Sequence, residues 1–209
     1  MKFDLHMHTC RYSPDSVIDP YELVEHAVRI GLDGIVLTEH DRLWPEDELD
    51  ELRSYAPRLT ILGGVEVTGK QGDVLCYGIQ SLDYLPKGIH WVDLCQEVHR
   101  QGGVCVAAHP FRWEQGFDII CEKYQPELDG MEMMSNNMFP EVRAKAAAYA
   151  MQQPRFAQLG NSDAHELFVL GRCFTMMKTP VKNNEDLILA IQQQLCYAVD
   201  GPLFLKSAS

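Results

Sequence analysis

The sequence lacks paired cysteine motifs. Its seven cysteines, Cys10, Cys76, Cys95, Cys105, Cys121, Cys173 and Cys196, are scattered singly and odd in number. That spacing argues against a disulfide framework and against a cysteine-based zinc finger. The thiols are expected to be small buried hydrophobes or inert surface groups. No apolar run approaches the roughly 20 residues that a membrane span needs. The opening MKFDLHMH has one lysine, then an acid and histidines, and does not resemble a secretion signal, so a cytoplasmic protein is expected. No GxGxxG follows the first strand candidate, which leaves a dinucleotide-binding reading without support. Basic charge is scarce as well: 18 Lys and Arg stand against 30 Asp and Glu, a net charge of −12. Binding to long nucleic acid needs a basic surface and is not expected, although a nucleotide or a short strand end remains open as a substrate. Clustered acids have another use, which is to hold cations.

What is present fits one folded unit. The 209 residues are 46% hydrophobic and 23% charged, ordinary for a globular chain, and residues 1–209 are expected to form a single domain. Short apolar runs alternate with amphipathic stretches. KFDLHM reads as a strand. DPYELVEHAVRIG reads as a helix with Asp19 at the N-cap, Pro20 at its first position, Glu22 in a capping box and Gly31 as its stop. DGIVLTEHD, LTILGGVEVT, GDVLCYGI, GVCVAAHP, LDGMEMMS, FAQLGNSDAH and RCFTMMK are further strand candidates. Helices are predicted from about Pro45 to Tyr55, over VDLCQEVHRQGG, GFDIICEKY and PEVRAKAAAYAMQQ, and over NNEDLILAIQQQ with Asn184 as its cap. Strand and helix alternating about seven times predict a parallel α/β architecture, either a closed barrel or an open sheet.

Histidines and acids fall repeatedly at the carboxyl ends of these strand candidates. His6 and His8 end the first, His40 the second and Glu66 the third. His109 ends AAHP, and Asp163 and His165 end GNSDAH, while Asp15 lies in the first loop. Parallel α/β folds build their sites at such ends. In HxH, side chains alternating with period two point both rings to one face. Taken singly, a histidine there is usually a hydrogen-bonded structural residue, as expected for His26, His90 and His99 in or beside helices. Taken together, imidazoles and carboxylates are the donors that zinc, manganese or iron prefer. Five histidines and three carboxylates exceed the needs of one ion. Two or three adjacent divalent ions would use them all, with Glu66 the natural bridge.

The set HMHTCRYSPDS, LTEHD, GGVEVT, AAHP and GNSDAH, in this order, resembles the polymerase and histidinol phosphatase (PHP) family, over Phe3 to about Tyr197. The resemblance implies a distorted (β/α)7 barrel, TIM-like, with a two- or three-metal site, and the activity of a metal-dependent phosphoesterase. It implies a first metal held by His6, His8, Glu66 and Asp163, a second by Glu66 and His109, and a third by Asp15, His40 and His165. Two departures accompany it. Many relatives carry a histidine or cysteine ligand near GMEMMSNNMF, where this chain offers Glu132, Ser135, Asn136 and Asn137, so the second metal is expected to be weakly held or completed by solvent. Glu39 stands where aspartate is common before His40, and is expected to orient an imidazole.

Such a centre suits hydrolysis of a phosphate ester, and arginine is the side chain whose planar fork matches phosphate oxygens. Arg112, directly after AHPF, is the expected clamp, with Arg11 and Arg172 as further candidates and a pairing of Arg112 with Glu114 as the alternative. A metal-bound water or His165 is the candidate acid for the leaving group. The expected substrate is a small phosphorylated metabolite or nucleotide. A 3′→5′ nuclease or nucleotide phosphodiesterase and a non-catalytic metal-binding module are the competing readings, and oligomeric state is not legible.

Overall fold

The computed structural model describes residues 1–201. Its first and last helices begin where side chains satisfy free backbone N–H groups. The Asp19 carboxylate accepts from Tyr21 N at 2.9 Å and from Glu22 N at 3.2 Å, and Pro20 opens α1 (Pro20–Arg29), which buries Leu23, Val24 and Ala27 on one stripe. The last helix, α6 (Asn184–Gln192), corrects one expectation. Its cap is Asn183, whose backbone is extended and whose Oδ1 accepts from Asp186 N at 2.8 Å. Asn184 is already helical and cannot fold back on the helix start, and its buried Oδ1 has no partner.

Between them run α2 (Glu46–Tyr55), α3 (Trp91–Arg100), α4 (Phe117–Tyr124) and α5 (Pro140–Gln152). The strands are β1 (Lys2–Asp4), β2 (Gly34–Leu37), β3 (Thr60–Gly69), β4 (Gly72–Tyr77), β5 (Val104–Ala107), β6 (Gly130–Met134), β7 (Ala157–Gly160), β8 (Cys173–Met177) and β9 (Cys196–Asp200). They form one nine-stranded sheet in the order β7-β6-β5-β4-β3-β2-β1-β8-β9. The alternation read from the sequence is there, but strand directions are mixed. β1–β2–β3 and β5–β6–β7 are parallel, whereas β4 runs against both neighbours and β8 and β9 run antiparallel beyond β1. The reason lies in connection length. Only Lys70 and Gln71 separate β3 from β4, which permits a hairpin and forbids a helical crossover. β9 has no counterpart in the sequence reading: its exposure pattern leaves only Cys196 buried, too weak an alternation to announce a strand.

The sheet curls until its two ends meet, giving a nearly closed, TIM-like barrel. Gly160 on β7 approaches β8 and β9 so tightly that a Cβ there would lie 3.0 Å from the Ala198 Cβ and 3.1 Å from the Phe174 carbonyl. Thr175 on β8 closes the seam, since its hydroxyl donates to Gly160 O at 2.9 Å and accepts from Gly160 N at 3.2 Å. Inside, Phe3, Leu5, Val36, Leu75, Tyr77 and Val106 form a core with Leu187 and Ile191 of α6. A second cluster lies under α3–α5 and a third under α1 and α2. Six of the cysteines are buried and Cys10 is exposed, as small apolar side chains would be. No helix among the described residues is long and apolar enough to cross a membrane.

Replacing Thr175 by valine keeps the volume of the seam but strips Gly160 N of its partner. We expect a loss of about 1–3 kcal/mol in urea unfolding, the cost of one buried unpaired donor. A loss below roughly 0.5 kcal/mol would mean that the seam does not depend on this hydroxyl.

Candidate metal centre

Apart from Glu66, the candidate ligands sit beyond the strand ends rather than on them. β1 stops at Asp4, whose buried carboxylate accepts from Ser162 N at 2.9 Å and Gly171 N at 3.0 Å. Burial pushes that carboxyl up to about 6. The chain stays extended past β1: Met7 bridges Ala164, and its N–H donates to the Thr38 hydroxyl at 3.1 Å. With Met7 turned into the core, His6 and His8 flank it on the other side. Their Nε2 atoms lie 3.1 Å apart. His40 comes three residues after β2, where it bridges Glu66. Glu66 does not end β3. It lies past the last parallel rung, Leu37 with Gly63, on the part of β3 that pairs with β4. His109 and Asp163 follow β5 and β7 with left-handed backbones, φ 30° and 51°. Extended geometry therefore does not continue from Asp163 to His165. The strain is held by hydrogen bonds, from Asp163 N to the His6 carbonyl at 2.9 Å and from His109 N to Glu132 Oε2 at 2.7 Å.

The rings are fixed by groups behind them. Glu132, fully buried on β6, accepts from His6 Nδ1 at 3.1 Å and from Asn161 Nδ2 at 2.8 Å. Ser13 donates its hydroxyl proton to the Glu39 carboxylate, so its oxygen accepts from His8 Nδ1 at 3.3 Å. Glu39 is also bound by Thr9 and by Trp44 Nε1, and thus reaches His8 only through Ser13. His165 donates its Nδ1 proton to the Asp163 carbonyl at 3.1 Å. Each of these contacts leaves Nε2 free for a cation.

Four groups meet at the centre: His6, His8, Glu66 and Asp163, all buried, with donor atoms within 4.8 Å of one another. His8, His40 and His165 form a second such group, joined by Asp15, whose Oδ2 lies 3.2 Å from His40 Nε2 and 3.3 Å from His165 Nε2. Glu66, Asp73 and His109 form a third. Glu66 belongs to the first and third, and its Oε2 is also 3.0 Å from His40 Nδ1.

The donors fit cations. The Nδ1 protons of His6 and His8 are committed to acceptors, so their close Nε2 atoms present lone pairs to one another unless a proton or a cation lies between. Glu66 Oε2 is buried within 3.3 Å of ring nitrogens of His6, His8 and His40, yet none meets it with hydrogen-bond geometry. Electrostatics agrees. Burial works against charge on His6, but Asp163, Glu66 and Glu132 outweigh it and hold the ring well above its usual value. Burial would likewise raise the Glu66 and Asp163 carboxyls, but His6 and the neighbouring rings hold both well below the usual range. His40 is pushed up to about 9, burial being overcome by Glu66 and Asp15. Protons and cations compete for one set of nitrogens.

A model of the PHP domain family matches residues 4–162, more than half of the chain, and a model described as PHP-associated matches residues 140–195. The chain belongs to the PHP domain family. It is 26% identical over 150 residues to the uncharacterized protein MJ1587 of Methanocaldococcus jannaschii, covering 65% of this chain and 82% of that protein. Its fold is similar to that of a two-domain Bacteroides vulgatus protein containing a predicted PHP-like metal-dependent phosphoesterase, with a TM-score of 0.76 and 21% identity. That match covers 96% of this chain but only 65% of the length of the Bacteroides protein. It is also similar to the lesion-specific endonuclease PfuEndoQ from Pyrococcus furiosus, with a TM-score of 0.59 and 16% identity, covering 92% of this chain and 56% of that one.

In this PHP chain the ligand groups open into a cavity of about 1070 Å³. Arg112 lines it, with Nη1 3.2 Å from Asp163 Oδ2 and its guanidinium 3.9 Å from the Trp113 ring centre. It therefore pairs with a ligand candidate and not with Glu114. Arg11 is not brought to the site. The Thr9–Ser13 turn carries it outward, where Nε binds Glu48 Oε2 at 3.0 Å. Arg172 stands behind the wall, its Nη1 3.3 Å from the Asn136 oxygen. Of the expected structural histidines, His90 caps α3 and His99 pairs with Asp129 at 2.8 Å. Sequence reasoning missed Asp73 and Ser13. It named Asn137 only as a departure, yet that amide donates to Asp163 Oδ2 at 2.7 Å. Pairing GDVLCY with GGVEVT as a hairpin would have exposed Asp73, two residues from the position opposite Glu66.

Ser13→Ala removes the acceptor at His8 Nδ1 and leaves Glu39 bound by Thr9 and Trp44. We expect zinc affinity, measured by competition with a chelating dye, to fall about 10–100-fold with the fold retained. Unchanged affinity would show that His8 needs no partner behind it.

Proposed function

We propose that this chain is a hydrolase of phosphate esters, a phosphomonoesterase acting on a small phosphorylated metabolite or nucleotide, with two or three divalent ions held by His6, His8, Asp15, His40, Glu66, His109, Asp163 and His165. The observation that carries the reading is the pair of imidazole Nε2 atoms facing each other at 3.1 Å beside two ionised carboxylates. The mixed nitrogen and oxygen donors admit zinc, manganese or iron. Divalent ions in such a setting lower the pKa of a bound water and neutralise phosphoryl oxygens.

The remaining steps belong to the chain's own side chains. Arg112 offers donors to an incoming phosphate: its Nη1 reaches Asp163, and its buried Nε has no partner. Its stack on Trp113 keeps the planar fork at the cavity wall. His165 has only Nε2 facing the cavity, because Asp163 holds Nδ1. One free nitrogen serves as a ligand or as a proton donor, not both, and its place beside Asp15 and His40 favours the ligand role. Among the expected clamp residues Arg11 drops out, and Arg172 acts at most through Asn136.

A second reading, cleavage of a phosphodiester in a nucleic acid, is raised by the similarity in fold to an endonuclease. The net charge of −12 weighs against a long strand. Phosphate release should be screened over sugar phosphates, amino-alcohol phosphates, nucleotides and a short single strand, with manganese, zinc or iron supplied. We expect metal-dependent turnover on a monoester, abolished in the His6→Ala, His8→Ala double variant. Turnover surviving in that variant would sink the proposal. Arg112→Ala should lower kcat/KM roughly 10–100-fold, the value of one charge-assisted contact, without changing metal content.

A further inference from the structure

Asp73, the second residue of β4, lies at the mouth of the barrel. Antiparallel register sets it opposite Thr68 and diagonal to Glu66, so the two carboxylates share a face of the β3–β4 hairpin. On its other side Ala108 N donates to the Asp73 carbonyl at 3.1 Å, which brings His109, one residue later, beside it. Three neighbouring segments thus deliver Glu66, Asp73 and His109 to one point, with donor atoms within 4.8 Å of one another. Glu66 is only 1% exposed, and its Oε2 lacks a hydrogen bond. The Asp73 carboxylate makes no side-chain hydrogen bond and no ion pair among the described residues.

Two carboxylates this close, half enclosed and without a shared proton donor, repel each other. Other acids of the cavity are satisfied: Asp163 is bound by Arg112 and Asn137, and Asp41 accepts from Thr68 N. Asp73 and the exposed Glu166 face the cavity unmatched, and of the two only Asp73 belongs to a group of mutually close donor atoms. Meanwhile Glu132 is withdrawn behind His6 and His109 N and is fully buried.

We propose that Asp73 is the third protein ligand of the second metal, completing with Glu66 and His109 an oxygen-rich position for a divalent cation. The inference rests on the metal reading above and replaces the expectation of a position completed by solvent. It also sets a preference. Two carboxylates and one imidazole suit a hard or borderline ion such as manganese at this position, with zinc favoured at the histidine-rich first position.

The test is a titration of Mn²⁺ into the metal-free chain, followed by calorimetry, for the natural protein and for Asp73→Asn and Asp73→Glu. Asp73→Asn should lose one equivalent or bind it on the order of 100-fold more weakly. Its metal-free form should melt no lower than the natural chain, because a repulsion is removed. Asp73→Glu should recover part of the lost equivalent. Equal stoichiometry and affinities in Asp73→Asn and the natural chain would overturn the assignment and leave the metal reading standing. A natural chain that takes up no Mn²⁺ or Zn²⁺ would instead overturn the metal reading itself.

Discussion

Everything at the mouth of this barrel depends on two imidazole nitrogens that the backbone forces together. His6 and His8 are separated by one residue on an extended chain, and Met7 between them is anchored in the core. The rings have no freedom to part, since Glu132 and Ser13 hold their far sides. Without a positive centre the pair would be a standing repulsion, and Glu66 and Asp163 would be two buried carboxylates with nothing between them. Protons reduce the conflict in the metal-free chain, which is why the rings are held basic and the acids are held ionised. A divalent cation resolves it more completely, because it accepts the lone pairs of both rings and the charge of both acids at once.

The barrel serves this arrangement by bringing distant loops to one rim. Asp4 at the end of β1 binds the backbone of Ser162 and Gly171, so the first and last loops of the site share an anchor beneath the ligands. The Thr175 hydroxyl completes the seam between β7 and β8 and fixes the strand that leads to Asp163. His109 and Asp163 leave their strands with left-handed backbones, a cost of order 1–3 kcal/mol each that the surrounding hydrogen bonds offset. The hairpin of β3 and β4 adds to the rim what a crossover helix could not, two inward acids on adjacent strands.

Sequence was most informative where chemistry and period coincide. The HxH spacing alone predicts convergence of His6 and His8, and the histidine and acid motifs already placed the site at the carboxyl ends of the strands, while the barrel itself came from the family resemblance. It was least informative where partnership depends on strand direction. Asp73 was invisible because an alternating pattern of strands and helices suggests parallel pairing, while its position opposite Thr68 needs an antiparallel hairpin. Arg11 looked well placed in the first loop, but a five-residue turn aims it outward to Glu48. Asn184 and Asn183 are indistinguishable as caps until the backbone selects the residue that is still extended. Ser13 carried no signal at all, since a serine acts here only because Glu39 takes its proton.

The central claim is that His6 and His8 present Nε2 lone pairs to a shared cation. Its most direct test is nitrogen-15 NMR of the histidine side chains, recorded without metal and with Zn²⁺. The account predicts that both rings keep a proton on Nδ1 throughout, and that both Nε2 resonances move from protonated to metal-bound values when zinc is added. Rings that stay doubly protonated in the presence of zinc, or that carry the proton on Nε2, would contradict it.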